Sequence, residues 1–209
     1  MSHTVNPFRS TTHSRRDHSG FTLIEVLVTV VVVSIGLLGL AGLQINGLRA
    51  NLSSEARSKA TLLASDIIER MRANPLGVAN NDYANINTAG IGCGAAPDPF
   101  CSNNSGGIAL VTAPEGCTPT EMASFDAWIW ACGLPQANAD VLRGGVTNQL
   151  NQGTGNVACN DGDTTDADPC SAGSTYTVNV SWNELNPNST DPATSGANTQ
   201  QNISLVVVP

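Results

Sequence analysis

The chain has 209 residues, with 17 acidic side chains against 9 lysines and arginines, for a formal charge of −8. That acidity argues against nucleic acid as a general partner, because a polyanion is repelled rather than recruited. Only 12% of residues are charged and 4% aromatic, which suits a polar, loop-rich protein with a modest core better than a helical cytosolic enzyme.

The first twenty residues end in "RSTTHSRRDHSG", with Arg9, Arg15 and Arg16. Next comes "GFTLIEVL" (20–27), where Glu25 breaks an apolar run that has just begun. From Val26 to Leu43 there are 18 residues without a charge, near the length that crosses a hydrocarbon core of about 30 Å as a helix. Basic residues stay on the cytoplasmic side, so the bulk of the chain is expected to face outward. Three readings compete: a signal peptide cut near Ala41, a plain anchor, and a leader cut before the apolar run. Glu25 separates them. A charge in a membrane helix costs roughly 2.5–3.5 kcal/mol at its centre and less near its end. A signal peptide or plain anchor gains nothing from it, whereas a segment that later meets a positive group does.

"G-F-T-L-I-E" after a short basic leader resembles the type III signal of type IV pilins and related pseudopilins. The resemblance implies that an integral-membrane aspartyl peptidase, the prepilin peptidase, cuts after Gly20 and N-methylates Phe21. Glu25 then occupies the fifth mature position. Cleavage creates an α-amino cation at Phe21, one helical turn from Glu25. The carboxylate can pair with its own amine, since i and i+4 face each other. It can equally pair with a neighbouring chain's amine and favour association in register, in a setting where an unpaired charge is expensive. Both arrangements stay open.

The helical pattern continues past the apolar run. Leu48, Leu52, Ala56, Ala60, Leu63, Ile67 and Met71 recur at steps of four and three, one stripe of a helix. Pro75 ends it. A helix from Phe21 to Ala73 is about 80 Å long at 1.5 Å per residue. Gly36, Gly39, Gly42 and Gly47 weaken it in water but allow close helix approach in a membrane. With no proline in this stretch, gentle bending at most is expected. The expected organisation is therefore a cleaved leader (1–20), a transmembrane half-helix (21–45), a periplasmic amphipathic half-helix (46–74) and a globular head (75–209). "LIEVLV…SIGLLGLAGLQ" followed by "AR-SKA-LLA-D-I-ERMRANP", over about residues 20–75, resembles the minor pilins of the PilV type, the type IV pilus modification proteins. "YTVNVSW" is similar to their C-terminal strand.

Past Pro75, "LGVANNDYANINTAGIGCGAAPDPFCSNNSGG" has loop chemistry throughout. "TPTEMASFDAWIWACG" reads as a short helix. Thr118 is its N-cap, Pro119 takes the first position, Glu121 completes a capping box and Gly133 closes it. Met122, Phe125, Trp128, Ile129 and Cys132 fall at helical spacing, so this helix is expected to pack on a sheet with Trp128 in the core; Trp130 is left open between core and surface. "STYTVNVSWNE" alternates strictly, with Tyr176, Val178, Val180 and Trp182 on one face, a half-buried strand. "QQNISLVVVP" is a final strand, "NPNSTDPATSGAN" a polar turn before it, and Asn156–Cys159 a further strand. The expected fold is α+β: a long N-terminal helix packed on an antiparallel sheet of about three or four strands.

All six cysteines (Cys93, Cys101, Cys117, Cys132, Cys159, Cys170) lie in this region. Their even number suggests disulfides in an oxidising compartment. No Cys-x-x-Cys pair supports zinc. Among the possible pairings, the sequential one is chosen: Cys93–Cys101, Cys117–Cys132 and Cys159–Cys170. "NDGDTTDAD" gathers Asp161, Asp163, Asp166 and Asp168. It departs from the EF-hand pattern, so a solvated acidic loop is favoured over a calcium site. The three histidines (His3, His13, His18) all precede Gly20, so no nucleophile–histidine–acid set remains after the cut. Neither a catalytic site nor a cofactor is expected.

The resemblance implies a minor pilin held by a single pass in the inner membrane with its head in the periplasm, then carried to the pilus tip. Its implied partners are other minor pilins, the major pilin and the prepilin peptidase. Its implied role is to prime pilus assembly in support of twitching motility and adhesion. Two rivals share the signal: a type II secretion pseudopilin and a tip adhesin.

Overall fold

The computed structural model describes residues 20–101, 116–136, 139–163, 165, 170, 173–185 and 198–209. Residues 1–19 of the leader, the 186–197 turn, and Asp166 and Asp168 lie outside the described residues. The chain divides into two compact units, Met1–Leu48 and Arg49–Pro209.

In the first unit the described residues form the start of α1 (Leu23–Ala73), whose helical hydrogen bonds run without interruption. The glycines do not break it. Nothing lies within 4 Å of a Cβ built at Gly36, Gly39, Gly42 or Gly47. Its two hydroxyls are satisfied locally: Thr29 Oγ1 donates to the Val26 carbonyl at 2.8 Å and Ser34 Oγ to that of Val30 at 2.7 Å. Such back-bonding suits a helix with no water at hand. Every side chain from Gly20 to Leu48 is exposed. By length and composition this part of α1 can cross a membrane, with a mean hydropathy of 2.7 over its apolar window.

In the second unit the rest of α1 buries Ala60, Leu63, Ala64, Ile67, Ile68 and Met71. The expected stripe therefore begins near Ala56 rather than Leu48, and Leu52 stays exposed. Arg70 and Arg72 complement the carbonyl end of the helix dipole. Pro75 does stop α1, but it also opens a short helix α2 (Pro75–Ala79), with Asn74 Oδ1 accepting from the Gly77 amide at 3.2 Å.

The main sheet is antiparallel. Its order is β1 (Ile86–Asn87), β4 (Thr154–Asn160), β5 (Thr175–Leu185) and β6 (Asn198–Val207). Strand β5 buries Tyr176, Val178, Val180 and Trp182, as its alternation requires. They join Val157 and the buried side of α1 in one core. A second ribbon pairs β2 (Gly133–Gln136) with β3 (Ala139–Gly144), followed by one turn of helix, α4 (Val146–Gln149).

Helix α3 (Pro119–Cys132) starts with the expected capping box: the Glu121 amide donates to Thr118 Oγ1 and the Thr118 amide to Glu121 Oε2. Gly133 ends it at φ 82°, a left-handed conformation that favours glycine. Helix α3 buries two faces. Ala123, Ala127 and Trp130 enter the core shared with α1 and the sheet. The face built from Phe125, Trp128, Ile129 and Cys132 instead packs with Phe100 in a second cluster, where Phe100 meets Phe125 edge-on at 4.7 Å. The predicted apolar stripe thus faces the disulfide-bearing loop, and Trp130, not Trp128, meets the sheet. Trp130 is 0% exposed, and its Nε1 donates to the Leu63 carbonyl at 2.8 Å. A Cβ at Gly155 would stand 2.4 Å from its ring, so the strand needs glycine there. The C-terminal carbonyls of α3, which have no partner within the helix, are capped from α4. Thr147 Oγ1 donates to Ala131 at 2.8 Å and Asn148 Nδ2 to Cys132 at 2.6 Å.

The disulfides are Cys93–Cys132, Cys101–Cys117 and Cys159–Cys170, with Cα separations of 5.4, 5.8 and 6.1 Å. The sequential pairing holds only for the last. Cys117 precedes α3 and Cys132 ends it. Their separation along the helix is about 20 Å, far beyond the reach of a bridge of about 7 Å.

Candidate functional site

The motif residues stand at the start of α1. Gly20, Phe21 and Thr22 are non-helical, and the Thr22 carbonyl accepts from the amides of Glu25 and Val26 at 3.1 and 3.3 Å. The Gly20–Phe21 bond therefore lies just outside the first helical turn. Phe21 is 85% exposed. Glu25 sits in the first turn of the helix, where the dipole favours a carboxylate. From Phe21 to Ile45 the large apolar side chains are exposed on every side of the helix. This is a surface built to be covered by lipid or by other helices.

In the second unit a polar centre that sequence reasoning missed ties α1 to α3. Arg70 Nε donates to Asp66 Oδ2 at 2.9 Å, and Arg70 Nη1 to Asp126 Oδ1 at 3.1 Å. The Tyr83 hydroxyl donates to Asp126 Oδ2 at 2.6 Å. Asn74 Nδ2 donates to Tyr83 Oη at 3.1 Å and to the Pro119 carbonyl at 2.8 Å. Tyr83, Asp126 and Asn74 are buried. Burial alone would lower the Arg70 pKa, but its bonds to Asp66 and Asp126 raise it overall. Burial, and then the bond to Asp126, push Tyr83 well above the usual tyrosine range, against the opposing bond from Asn74. Asp126 carried one readable signal: it is the lone acid within "ASFDAWIWA".

A groove of about 510 Å³ runs between Leu52 and Ala56 of α1 and Leu150 and Trp182. Several of its polar groups are paired among themselves. Lys59 meets Glu55 at 2.7 Å, and Glu184 accepts from Ser53 Oγ at 3.1 Å and from Trp182 Nε1 at 2.8 Å. The described part of the acidic loop is a chain of turns. Asp161 Oδ1 accepts from Ser174 Oγ at 2.9 Å, and Asp163 Oδ1 from the Thr165 amide at 3.0 Å. Among the described residues no three acids, histidines or cysteines converge on a metal position.

The family model described as the prokaryotic N-terminal methylation motif matches residues 15–41. The model described as type IV pilin Tt1218 matches residues 42–128. The two matches abut, and together they run from the basic leader through Trp128 of α3. The chain is a type IV pilin. No curated protein and no solved structure matches it. The long N-terminal helix, the small antiparallel sheet and the three disulfides of the head are the α+β type IV pilin fold. The methylation motif implies processing by a prepilin peptidase and assembly with other pilins. An apolar N-terminal helix carrying that motif fits membrane anchoring followed by incorporation into a pilus. Pilins are structural proteins, and the pilin's polar centre at Asp126 has the form of a clasp.

Proposed function

We propose that this pilin is a minor pilin of the PilV type, without enzymatic activity of its own. It joins other minor pilins at the pilus tip and primes assembly, in support of twitching motility and adhesion. Prepilin peptidase cuts the Gly20–Phe21 bond and methylates Phe21. Until extraction the chain spans the inner membrane once, with its head in the periplasm. The observation that carries the reading is the uncovered apolar helix surface that starts at Phe21 and holds one carboxylate, Glu25, in its first turn. Glu25 sets register by meeting the new amine of a neighbouring subunit. An unpaired charge costs less near the helix end than the roughly 2.5–3.5 kcal/mol at its centre, so a neighbour's amine left without Glu25 weakens association by about tenfold or more.

The test is Glu25→Ala in the native host. Pilus incorporation should fall about tenfold or more while the cleaved chain accumulates in the membrane at wild-type levels. Incorporation at the wild-type level would overturn the register role. Deletion of the chain should abolish surface pili and twitching. Loss of exoprotein export instead would assign the chain to a secretion pseudopilus.

A further inference from the structure

The groove beside Leu52 and Ala56 lies wholly within Arg49–Pro209. It leaves apolar surface open to water: Leu52 is 57% exposed. Along α1 the groove extends from Arg49 to Lys59, about 15 Å at 1.5 Å per residue. Its volume of about 510 Å³, spread over that length, leaves a channel roughly 6 Å wide. An α-helix with its side chains is about 10–12 Å across and would ride above such a channel. A single slender chain fills it. An extended peptide is slender too, but it brings backbone N–H and C=O groups that need partners once covered.

The lining offers few partners. Its charged groups are committed to one another, with one exception. Glu55 meets Lys59 at 2.7 Å, and Glu184 accepts from Ser53 Oγ at 3.1 Å and from Trp182 Nε1 at 2.8 Å. Asn151 Nδ2 donates to the Asn183 carbonyl at 3.1 Å. Arg49 alone of the four charged side chains has no ion pair or hydrogen bond among the described residues. The fitting occupant is therefore apolar along its length and carries one anionic group at the Arg49 end.

The length of the chain says where such a molecule is at hand. Arg49 follows Leu43, the last residue of the apolar run, by six residues, which span at most about 20 Å. That is about the length of one lipid, half of a bilayer about 40–45 Å thick with its headgroups. The limit comes from chain length alone and holds for any attitude of the head.

We propose that the groove holds one acyl chain of a membrane phospholipid whose phosphate is bound by Arg49. The acyl chain exchanges one apolar setting for another, and its methylenes cover the surface of Leu52 that water otherwise wets. Arginine and phosphate form a charge-assisted pair. The proposal rests on the membrane reading of residues 26–43, and the test separates the two.

The full chain is reconstituted into phosphatidylglycerol vesicles whose acyl chains carry bromine near their ends. In an undisturbed bilayer those bromines lie near the midplane, away from the head. Bromine quenches indole fluorescence on contact, and Trp182 lines the groove. The vesicles should quench the chain, and Trp182→Phe should remove at least half of that quenching. Arg49→Glu should weaken the site about tenfold and abolish most of the Trp182 quenching, as should Ala56→Phe, which fills the channel. Thermal melting checks that each variant keeps its head folded. Quenching that survives both groove variants would come from proximity to the bilayer and would overturn the proposal. Flotation with the vesicles reports insertion separately. Chains that float without quenching of Trp182 overturn the lipid site alone, whereas chains that fail to float overturn the membrane reading and the site with it.

Discussion

The two units of this pilin treat their apolar residues in opposite ways. Residues 20–48 bury no side chain within the chain, although Val26–Leu43 is the most apolar stretch of the sequence. Residues 49–209 bury Ile67, Met71, Trp130, Trp182 and the inner face of β5, fix them with a clasp at Asp126, and close the loops with three disulfides. One unit carries its own buried core. The other is completed only by lipid or by other helices. Substitutions in the two should therefore fail in different assays.

The largest effect on stability is expected from Trp130→Ala. It removes a fully buried indole and its bond to Leu63, at about 3–5 kcal/mol. The head should melt about 10 °C lower, while membrane insertion and cleavage of the leader are unchanged. Asp126→Ala should follow at about 2 kcal/mol, because it leaves the buried Tyr83 hydroxyl without its acceptor and takes from the half-buried Arg70 one of its two carboxylate partners. A paired Arg70→Met, Asp126→Leu variant should recover only part of that loss, since the Tyr83 hydroxyl still lacks its acceptor. Leu37→Ala is the converse probe. It should leave the melting of the head within about 0.5 kcal/mol of wild type while lowering incorporation into pili. A large shift in head melting would break the contrast between the units.

The smallest effect is one of pH. The folded state holds the Tyr83 proton more tightly than the unfolded chain, whose tyrosine titrates near 10.0. This stabilisation is complete below about pH 10 and is lost as pH rises through the higher folded value. Wild type should lose stability above about pH 10 by denaturant melts, and Tyr83→Phe should remove this component of the loss.

What the sequence made legible was local. The GFTLIE motif, the Thr118–Glu121 capping box, Gly133 as a helix stop and the alternation of β5 each declare themselves within a dozen residues. What it hid depended on long-range contacts. The Cys93–Cys132 bridge spans 39 residues, and the sequential alternative failed because it joined the two ends of a helix already predicted between Cys117 and Cys132. Residues 76–91 have loop composition, yet Tyr83 and Ile86 enter the core. Helix α3 is apolar on two faces, so periodicity selected the Trp128 face and left Trp130 undecided, although the Gly155 contact makes Trp130 the residue that meets the sheet. The β2–β3 ribbon lacks alternation and went unread. The clasp joins residues 70, 74, 83 and 126, which no spacing rule connects.

Mass spectrometry of the N-terminus of the chain purified from its native membrane tests the central claim most directly. The account predicts a first residue of N-methylated Phe21, with nothing before it. An intact Met1, or a terminus near Ala41, would contradict it.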